Sequence, residues 1–333
     1  MPQSFSLYFH SSCFDGIVSS IMTVDFLEST QGGTLNGLIP VDYGARTTWL
    51  SREISTPCAV VDFLYHPQAS FWADHHSTTF LTDEARKDFE MRRGKWFVYD
   101  DQSGSCACLL RKHFSESFGF TNSRYDEMVE WADKIDSARY STVEEAVLGE
   151  APALRIRASL AAGDGDEFSR RLVNELRSHN LSQVAELPIV KERAERVQAK
   201  IRAGLNCFAQ AARLDNGEIV VFDVKSQKDV MISRYAPYYF FPEARYSVGV
   251  VRSPNGAKIT AMRNPWREFA SVHLGKVFEN LGRTFEGVGG GGHQRVASVI
   301  LSGDQARQAA AILAHIVGQI RRHDAPVAVG SHD

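Results

Sequence analysis

The sequence predicts an α/β protein with a mostly parallel, helix-flanked N-terminal sheet, a helical connector and a smaller C-terminal α+β domain. Three observations predict it. The first half alternates short apolar runs with helical patterns, as buried parallel strands joined by crossover helices do. The middle, from about 161 to 210, is helical and charged. Beyond about 211 the chain changes to alternating strands with a hairpin signal at Ser253-Pro254-Asn255-Gly256. A length of 333 residues exceeds one ordinary core, so two domains are expected. We assign 1–160 to the first domain, 161–210 to the connector, 211–325 to the second domain and 326–333 to a flexible tail.

Taken in order, Phe5 to Phe9 reads as a strand and Gly16 to Leu27 as the helix after it. Leu35 to Pro40, Cys58 to Leu64, Phe71 to Ala73 and Trp96 to Tyr99 read as further strands. Ser103 to Phe118 and Asp126 to Ile135 have helical patterns, with Asp101 or Ser103 as a cap for the first. Gly163-Asp164-Gly165-Asp166 is a turn, followed by helical patterns over Glu167 to Arg177 and Ile189 to Gln210. In the last third, Glu218 to Val224, Tyr246 to Val251, Lys258 to Arg263 and Arg295 to Leu301 read as strands. Phe269 to Leu281 and Asp304 to Arg322 read as helices.

Composition narrows the function classes. Hydrophobic content of 44% and charged content of 23% are those of a soluble globular protein. A net charge of -3 argues against broad binding to long nucleic acid, though not against a local basic groove. No window carries the roughly 20 apolar residues of a membrane span, and the N-terminus lacks the pattern of a signal peptide. Five cysteines without regular spacing fit reduced thiols, so a cytoplasmic location is expected.

Chemistry concentrates at the ends of the apolar runs. His10-Ser11-Ser12-Cys13-Phe14-Asp15-Gly16 follows the first strand, and Val60-Val61-Asp62-Phe63 ends another. Asp74-His75-His76 and Ala132-Asp133-Lys134-Ile135-Asp136 complete the set. Taken singly each has a plain reading: a structural His10, an Asp15 that caps a helix, exposed helix acids at Asp133 and Asp136. Taken together they suit divalent cations, because converging carboxylates repel and a cation removes that cost. Two cations side by side can activate a water and brace the leaving oxygen of a phosphoester.

These motifs resemble those of the DHH phosphoesterase superfamily, the group of the RecJ exonucleases, nano-RNA phosphatases and oligoribonuclease-like proteins. The likeness covers the first 140 residues or so. The run Gly289-Gly290-Gly291-Gly292-His293-Gln294-Arg295-Val296-Ala297-Ser298 resembles the glycine-rich signature of the DHH-associated C-terminal domain. The resemblance implies two divalent cations, manganese first. It places His10, Asp15, Asp62, His75 and Asp133 among their ligands, with Asp62 bridging both and Asp136 the second choice to Asp133. His76 would face the substrate phosphate and Asp74 would orient the imidazoles. Cys13 stands where the family usually has Asp; as a thiolate ligand it would shift that site from manganese or magnesium toward zinc or iron.

For the second domain the resemblance implies that Gly290, Gly291, Gly292, His293 and Arg295 grip a nucleotide end or phosphate, with bare backbone amides close to the anion. Arg263 is a second candidate contact. The aromatic cluster Tyr235, Tyr238, Tyr239, Phe240 and Phe241 suits core packing, or stacking under a base. We expect a hydrolase whose first domain carries the metals and catalytic His76 and Asp74, while the second contributes catalytic His293, with the active site in the cleft between the domains. The expected partner is a short nucleic acid or a nucleotide, without a membrane, and a homodimer is compatible. An inorganic pyrophosphatase or polyphosphatase, and a non-catalytic nucleotide sensor, are the alternatives.

Overall fold

A computed structural model describes residues 4–163, 165–292 and 294–324. The expectations for His293 and for the tail at 326–333 therefore lie outside the described residues. In chain order the elements are β1 (Ser4–His10), α1 (Phe14–Gln31), β2 (Thr34–Val41), β3 (Cys58–Val61), β4 (Phe71–Asp74), α2 (Asp83–Arg92), β5 (Phe97–Tyr99), α3 (Cys106–Phe118) and α4 (Asp126–Asp136). The helices α5 (Val143–Leu148), α6 (Pro152–Leu160), α7 (Asp166–Ser178), α8 (Leu181–Ala185) and α9 (Pro188–Ala211) follow. Then come β6 (Arg213–Asp215), β7 (Ile219–Lys225), α10 (Ala236–Phe240), β8 (Tyr246–Ser253), β9 (Gly256–Arg263), α11 (Leu274–Glu279), β10 (Gly290–Gly292), β11 (Val296–Ser302) and α12 (Ala309–Asp324).

The chain divides into two compact units, one of 1–140 with 149–198 and one of 141–148 with 199–333. In unit 1, five strands run in the order β2-β1-β3-β4-β5, all parallel. From β1 the chain passes to β2 on one side, then to β3 on the other, so the strand order reverses at β1. Ligands of open α/β sheets bind beyond the strand carboxyl ends at such a reversal. Buried along most of its length, α1 packs against α3, α4 and α7. Gly32, left-handed at φ 61°, ends it.

On the other side of the sheet lies an aromatic core built on Trp49, Phe63, Tyr65, Trp72 and Phe89. Two indoles in it also hold backbone in place. Trp72 Nε1 donates to Phe63 O at 2.9 Å, and Trp49 Nε1 donates to Leu64 O at 3.0 Å. They satisfy carbonyls in the segment that leaves β3, which would otherwise be buried without partners.

Unit 2 holds a six-stranded mixed sheet, β10-β11-β9-β8-β7-β6, in which only β7 and β8 pair in parallel. Alternation along β8 sends Tyr246, Val248 and Val250 into a core shared with α11 and α12. Ser247, Gly249 and Val251 face the other way and line a separate cavity of about 480 Å3.

Two expectations change in this unit. The helix read over Phe269 to Leu281 starts only at Leu274. Arg263 Nη2 donates to the carbonyls of Arg267 (3.0 Å) and Phe269 (3.2 Å), which ties the preceding segment down as a loop, and His273 caps the helix by accepting from Lys276 N at 3.2 Å. The glycine run read as a loop supplies a strand instead, with Gly290 to Gly292 paired antiparallel to Val299 to Ala297.

Candidate metal centre

The cluster forms at the carboxyl ends of β1, β3 and β4, with additions from the start of α1 and the end of α4. His10 is the last residue of β1. Cys13 caps α1, its Sγ accepting from Gly16 N at 3.1 Å. Gly16 lets the helix start this close to the strand: a Cβ there would fall 2.0 Å from His10 O and 3.1 Å from Asp62 Oδ2.

Asp62 is fully buried and has a left-handed backbone, φ 53°. Aspartate tolerates that conformation better than most residues. The excursion turns its carboxylate toward Cys13 (Sγ donating to Oδ2, 3.0 Å) and His10 (Nδ1 to Oδ2, 3.4 Å). Its other oxygen lies 3.7 Å from His75 Nε2 and 3.8 Å from His76 Nδ1.

Asp74 ends β4 and is buried. Its Oδ1 accepts from His75 N and from His76 Nδ1, both at 2.8 Å. His75 Nδ1 is 3.1 Å from Ser103 O, so the ring donates there, and Nε2 is the nitrogen that gives up its proton when the ring is neutral. That nitrogen faces three carboxylates: Asp136 at 3.2 Å, and Asp15 and Asp62 at 3.7 Å each. By the same logic His76 donates from Nδ1 to Asp74 and keeps Nε2 for another partner.

Asp15 has a double role. Its two oxygens accept from Cys106 N (2.7 Å) and Ala107 N (2.9 Å), at the start of α3, where a helix favours an anion. It is still part of the group formed with His75 and Asp136. Of the two acids near the end of α4, Asp136 stands at His75. Asp133, expected as the ligand, pairs with Arg139 and packs on Gly104, where a Cβ would fall 2.1 Å from its Oδ1.

The electrostatics follow from burial and crowding. Burial pushes the Cys13 thiol well up, and Asp62, Asp15 and Asp136 push it further. Asp15 is raised well above the carboxylate range by burial and by Asp62 and Asp136. Burial works against a charged His75, but Asp136, Asp15 and Asp62 overcome it and lift the group to about 11. Against the same opposition Asp74 and Asp62 lift His76 to about 9. Asp62 is held down at about 2 despite burial, by His10 and the two imidazoles of the β4 motif.

The residues fit a metal. His75 Nε2 and Asp62 Oδ1 are buried and make no hydrogen bond in the structure. Such groups are rare without an ion or water to complete them. Three ligand-capable groups overlap in one cluster: Asp62, Asp74, His75 and His76; His10, Cys13 and Asp62; Asp15, His75 and Asp136. Asp62 and His75 each belong to two of them. Oxygen, imidazole and thiol donors in these sets suit first-row divalent ions.

Tyr43 was missed by sequence reasoning. Its ring stands edge-on to His10 at 5.0 Å and to His76 at 6.1 Å. Burial and the nearby Asp74 and Asp62 raise its hydroxyl, which keeps it neutral. Its position just after β2, beyond the strand reversal, was the available signal.

In unit 2, Arg263 is buried and its guanidinium is engaged by loop carbonyls and stacked 4.6 Å from the Phe269 ring centre. Arg295 is exposed and its carbonyl accepts from Arg263 N at 2.8 Å. Gly291 has open space where a Cβ would stand, whereas one on Gly290 would press on Phe278 and Val299. Gly292, φ 152°, would bring a Cβ 2.4 Å from Val296 O. In the aromatic cluster, Tyr235 and Tyr238 are buried, and Tyr238 donates to Met262 O at 2.6 Å.

Fold and site together define a class: α/β proteins with a buried acid–imidazole cluster at strand ends, followed by a smaller unit with a mixed sheet. Solved structures share this fold. The pGpG-specific phosphodiesterase PggH from Vibrio cholerae superposes with a TM-score of 0.67 at 17% identity, over 94% of this chain and 99% of that one. RecJ from Thermus thermophilus in complex with Mn2+ gives 0.59 at 14% identity, over 96% of this chain. The present chain spans about half of that RecJ, 52%. A DHH domain of a member of the s1p family of ribosomal proteins gives 0.58 at 12% identity, over 96% and 86% of the two chains. No model of a known protein family matches the chain, and no curated protein sequence matches it. The structural neighbours are DHH-domain proteins, and the chain has their fold.

Proposed function

We propose that this protein is a metal-dependent phosphoesterase that hydrolyses short oligonucleotides or small nucleotides. The observation that carries the reading is His75 Nε2, buried without a hydrogen bond, facing Asp15, Asp62 and Asp136 from a tautomer fixed by Ser103 O. A structural histidine would complete its second nitrogen. One aimed at three acids is prepared to exchange its Nε2 proton for a cation.

In this reading His10, Cys13 and Asp62 hold one divalent ion, and Asp15, Asp62, His75 and Asp136 hold a second. Manganese is the first candidate; zinc or iron is favoured at Cys13 if its thiol ionises. Bound there, the ions would neutralise the acids, lower the pKa of a water and polarise a phosphoryl oxygen. The chain's own residues do the rest. Asp62 serves both groups, one oxygen toward each. Asp74 fixes the direction of His76, whose Nε2 is offered to the phosphoryl group as its charge grows. The bare backbone around Gly291 is a candidate anion contact in unit 2, with His293 and Arg295 beside it in sequence.

A linear dinucleotide heads the substrate candidates. A neighbour covering 99% of its own length is named for hydrolysis of pGpG, and the acidic overall balance does not favour long polyanions. The test is a panel of pGpG, other dinucleotides, longer oligomers, cyclic dinucleotides and pyrophosphate, with and without manganese. Manganese-dependent loss of the dinucleotides is the expected result. Preferential loss of pyrophosphate would replace the substrate assignment, and no turnover with any divalent ion would remove the hydrolytic one.

A further inference from the structure

Unit 2 contains a cavity of about 750 Å3 on the face of its sheet that carries α11 and α12. Its wall gathers Arg245, Lys276 and Arg283 with the imidazoles of His273, His315 and His323. Among the described residues no aspartate or glutamate lines it. Three permanent cations and three imidazoles thus share one concavity, with no acid among its described wall residues.

Arg245 lies 3.3 Å from Glu218, which is not in the wall, and its guanidinium stacks 4.5 Å from the Phe269 ring centre. Lys276 and Arg283 make no ion pair among the described residues. Two imidazoles have fixed tautomers. His273 Nδ1 accepts the amide of Lys276, which leaves its Nε2 as the donor. The Gln319 amide donates to His315 Nε2 at 3.3 Å, which leaves Nδ1 as that ring's donor. Donors and cations therefore dominate the wall, and an anion would relieve their mutual repulsion.

A guanidinium pairs with a phosphoryl group in two-point fashion, while an ammonium acts as a point charge; this cavity offers both. Its volume falls in the range of about 300–1,000 Å3 usual for small-ligand sites. Asn280, Thr284 and Gln319 add neutral hydrogen-bonding groups, and Val272 and Val277 an apolar patch. A bare anion would have no use for that second set, and a nucleotide would.

We propose that this cavity binds a small phosphorylated anion, a nucleotide with two or more phosphates or its pyrophosphate moiety alone, at a site separate from the metal centre. Every wall residue belongs to unit 2, and none is a metal-centre or glycine-strand residue. The proposal does not rest on the hydrolytic reading.

The test is calorimetric titration of the full chain, kept metal-free with chelator, using pyrophosphate, adenosine diphosphate, adenosine triphosphate and uncharged adenosine. Histidine ring signals are followed by NMR in parallel. Saturable binding of the phosphates but not of adenosine is expected, with the His273 and His315 signals shifting. Tighter binding of the nucleotides assigns the site to a nucleotide; equal binding assigns it to the pyrophosphate moiety. Lys276→Ala with Arg283→Ala should weaken binding at least tenfold, and Lys276→Arg alone should keep most of it. Both positions are exposed, so the variants should fold. Three results would overturn the proposal: no binding to wild type, unchanged binding in the double variant, or shifts confined to His10, His75 and His76.

Discussion

At the scale of single residues the sharpest question is which acid of α4 completes the cluster. Asp133 and Asp136 are three apart, so they share a helix face and periodicity cannot choose between them. The choice depends on Arg139, which takes Asp133, and on the 3.2 Å approach of Asp136 to His75. Asp136→Asn should therefore lower turnover about 100-fold or more and reduce manganese content, since it removes a ligand charge. Asp133→Asn should keep metal content near wild type and change turnover less than tenfold. The reverse order in metal analysis and steady-state rates would return the ligand role to Asp133. Asp62→Asn is the stricter probe of bridging. Asparagine holds a left-handed backbone as readily as aspartate, so the fold at φ 53° survives while both groups lose their shared charge. Turnover should become undetectable with the circular dichroism spectrum unchanged. The imidazoles and most acids were legible in the sequence because strand ends converge in a parallel sheet. Tyr43 was not legible, because an aromatic after a strand carries no mark of what its ring will touch.

At the scale of elements, the junction of β1 with α1 decides how tightly the cluster closes. Gly16→Ala adds one methyl where a helix would ordinarily accept it, but here that carbon meets His10 O at 2.0 Å. Backbone must move, and overpacking of this kind costs about 1–3 kcal/mol. Urea unfolding should show that loss, with activity falling further because His10 and Asp62 move with the junction. Gly37→Ala in β2 is the control: nothing lies within 4 Å of its Cβ, and stability should stay within about 0.5 kcal/mol. Equal destabilisation by the two would mean that loss of glycine flexibility, not contact, sets the effect. Elements of unit 1 were readable where apolar runs were long, as in α1. The helix α2 was overlooked: its sequence is mostly charged, and only Ala85 and Phe89 are buried. In unit 2 the helical pattern over Phe269 to Leu281 gave way to Arg263, whose bonds to loop carbonyls no local pattern encodes. Glycines 290 to 292 gave no strand signal, since a strand without side chains has no alternation to read.

For the whole molecule, unit 1 holds a core around Trp49 and Trp72 and unit 2 one around β8, β9, α11 and α12. Every residue assigned here to the metal ions lies in unit 1. A ligand stabilises what it binds by mass action, about 2.7 kcal/mol at a hundredfold excess over its dissociation constant. Manganese should therefore slow hydrogen exchange in β1, β3 and β4 at the amides that open only with unit 1. Chelator should reverse the gain, and Asp62→Asn should abolish it. Amides of β8 and β9 report the other core, which holds none of the proposed ligands, so their protection should not change. Pyrophosphate bound at the cationic cavity predicts the opposite pattern, with protection rising in β8, α11 and α12 and unchanged in β1. Exchange mapped by mass spectrometry under the two conditions separates the cases in one experiment. If manganese protected β8 and β9 as much as β1, the ion would be acting on both units, and confinement of its ligands to the first would have to be abandoned.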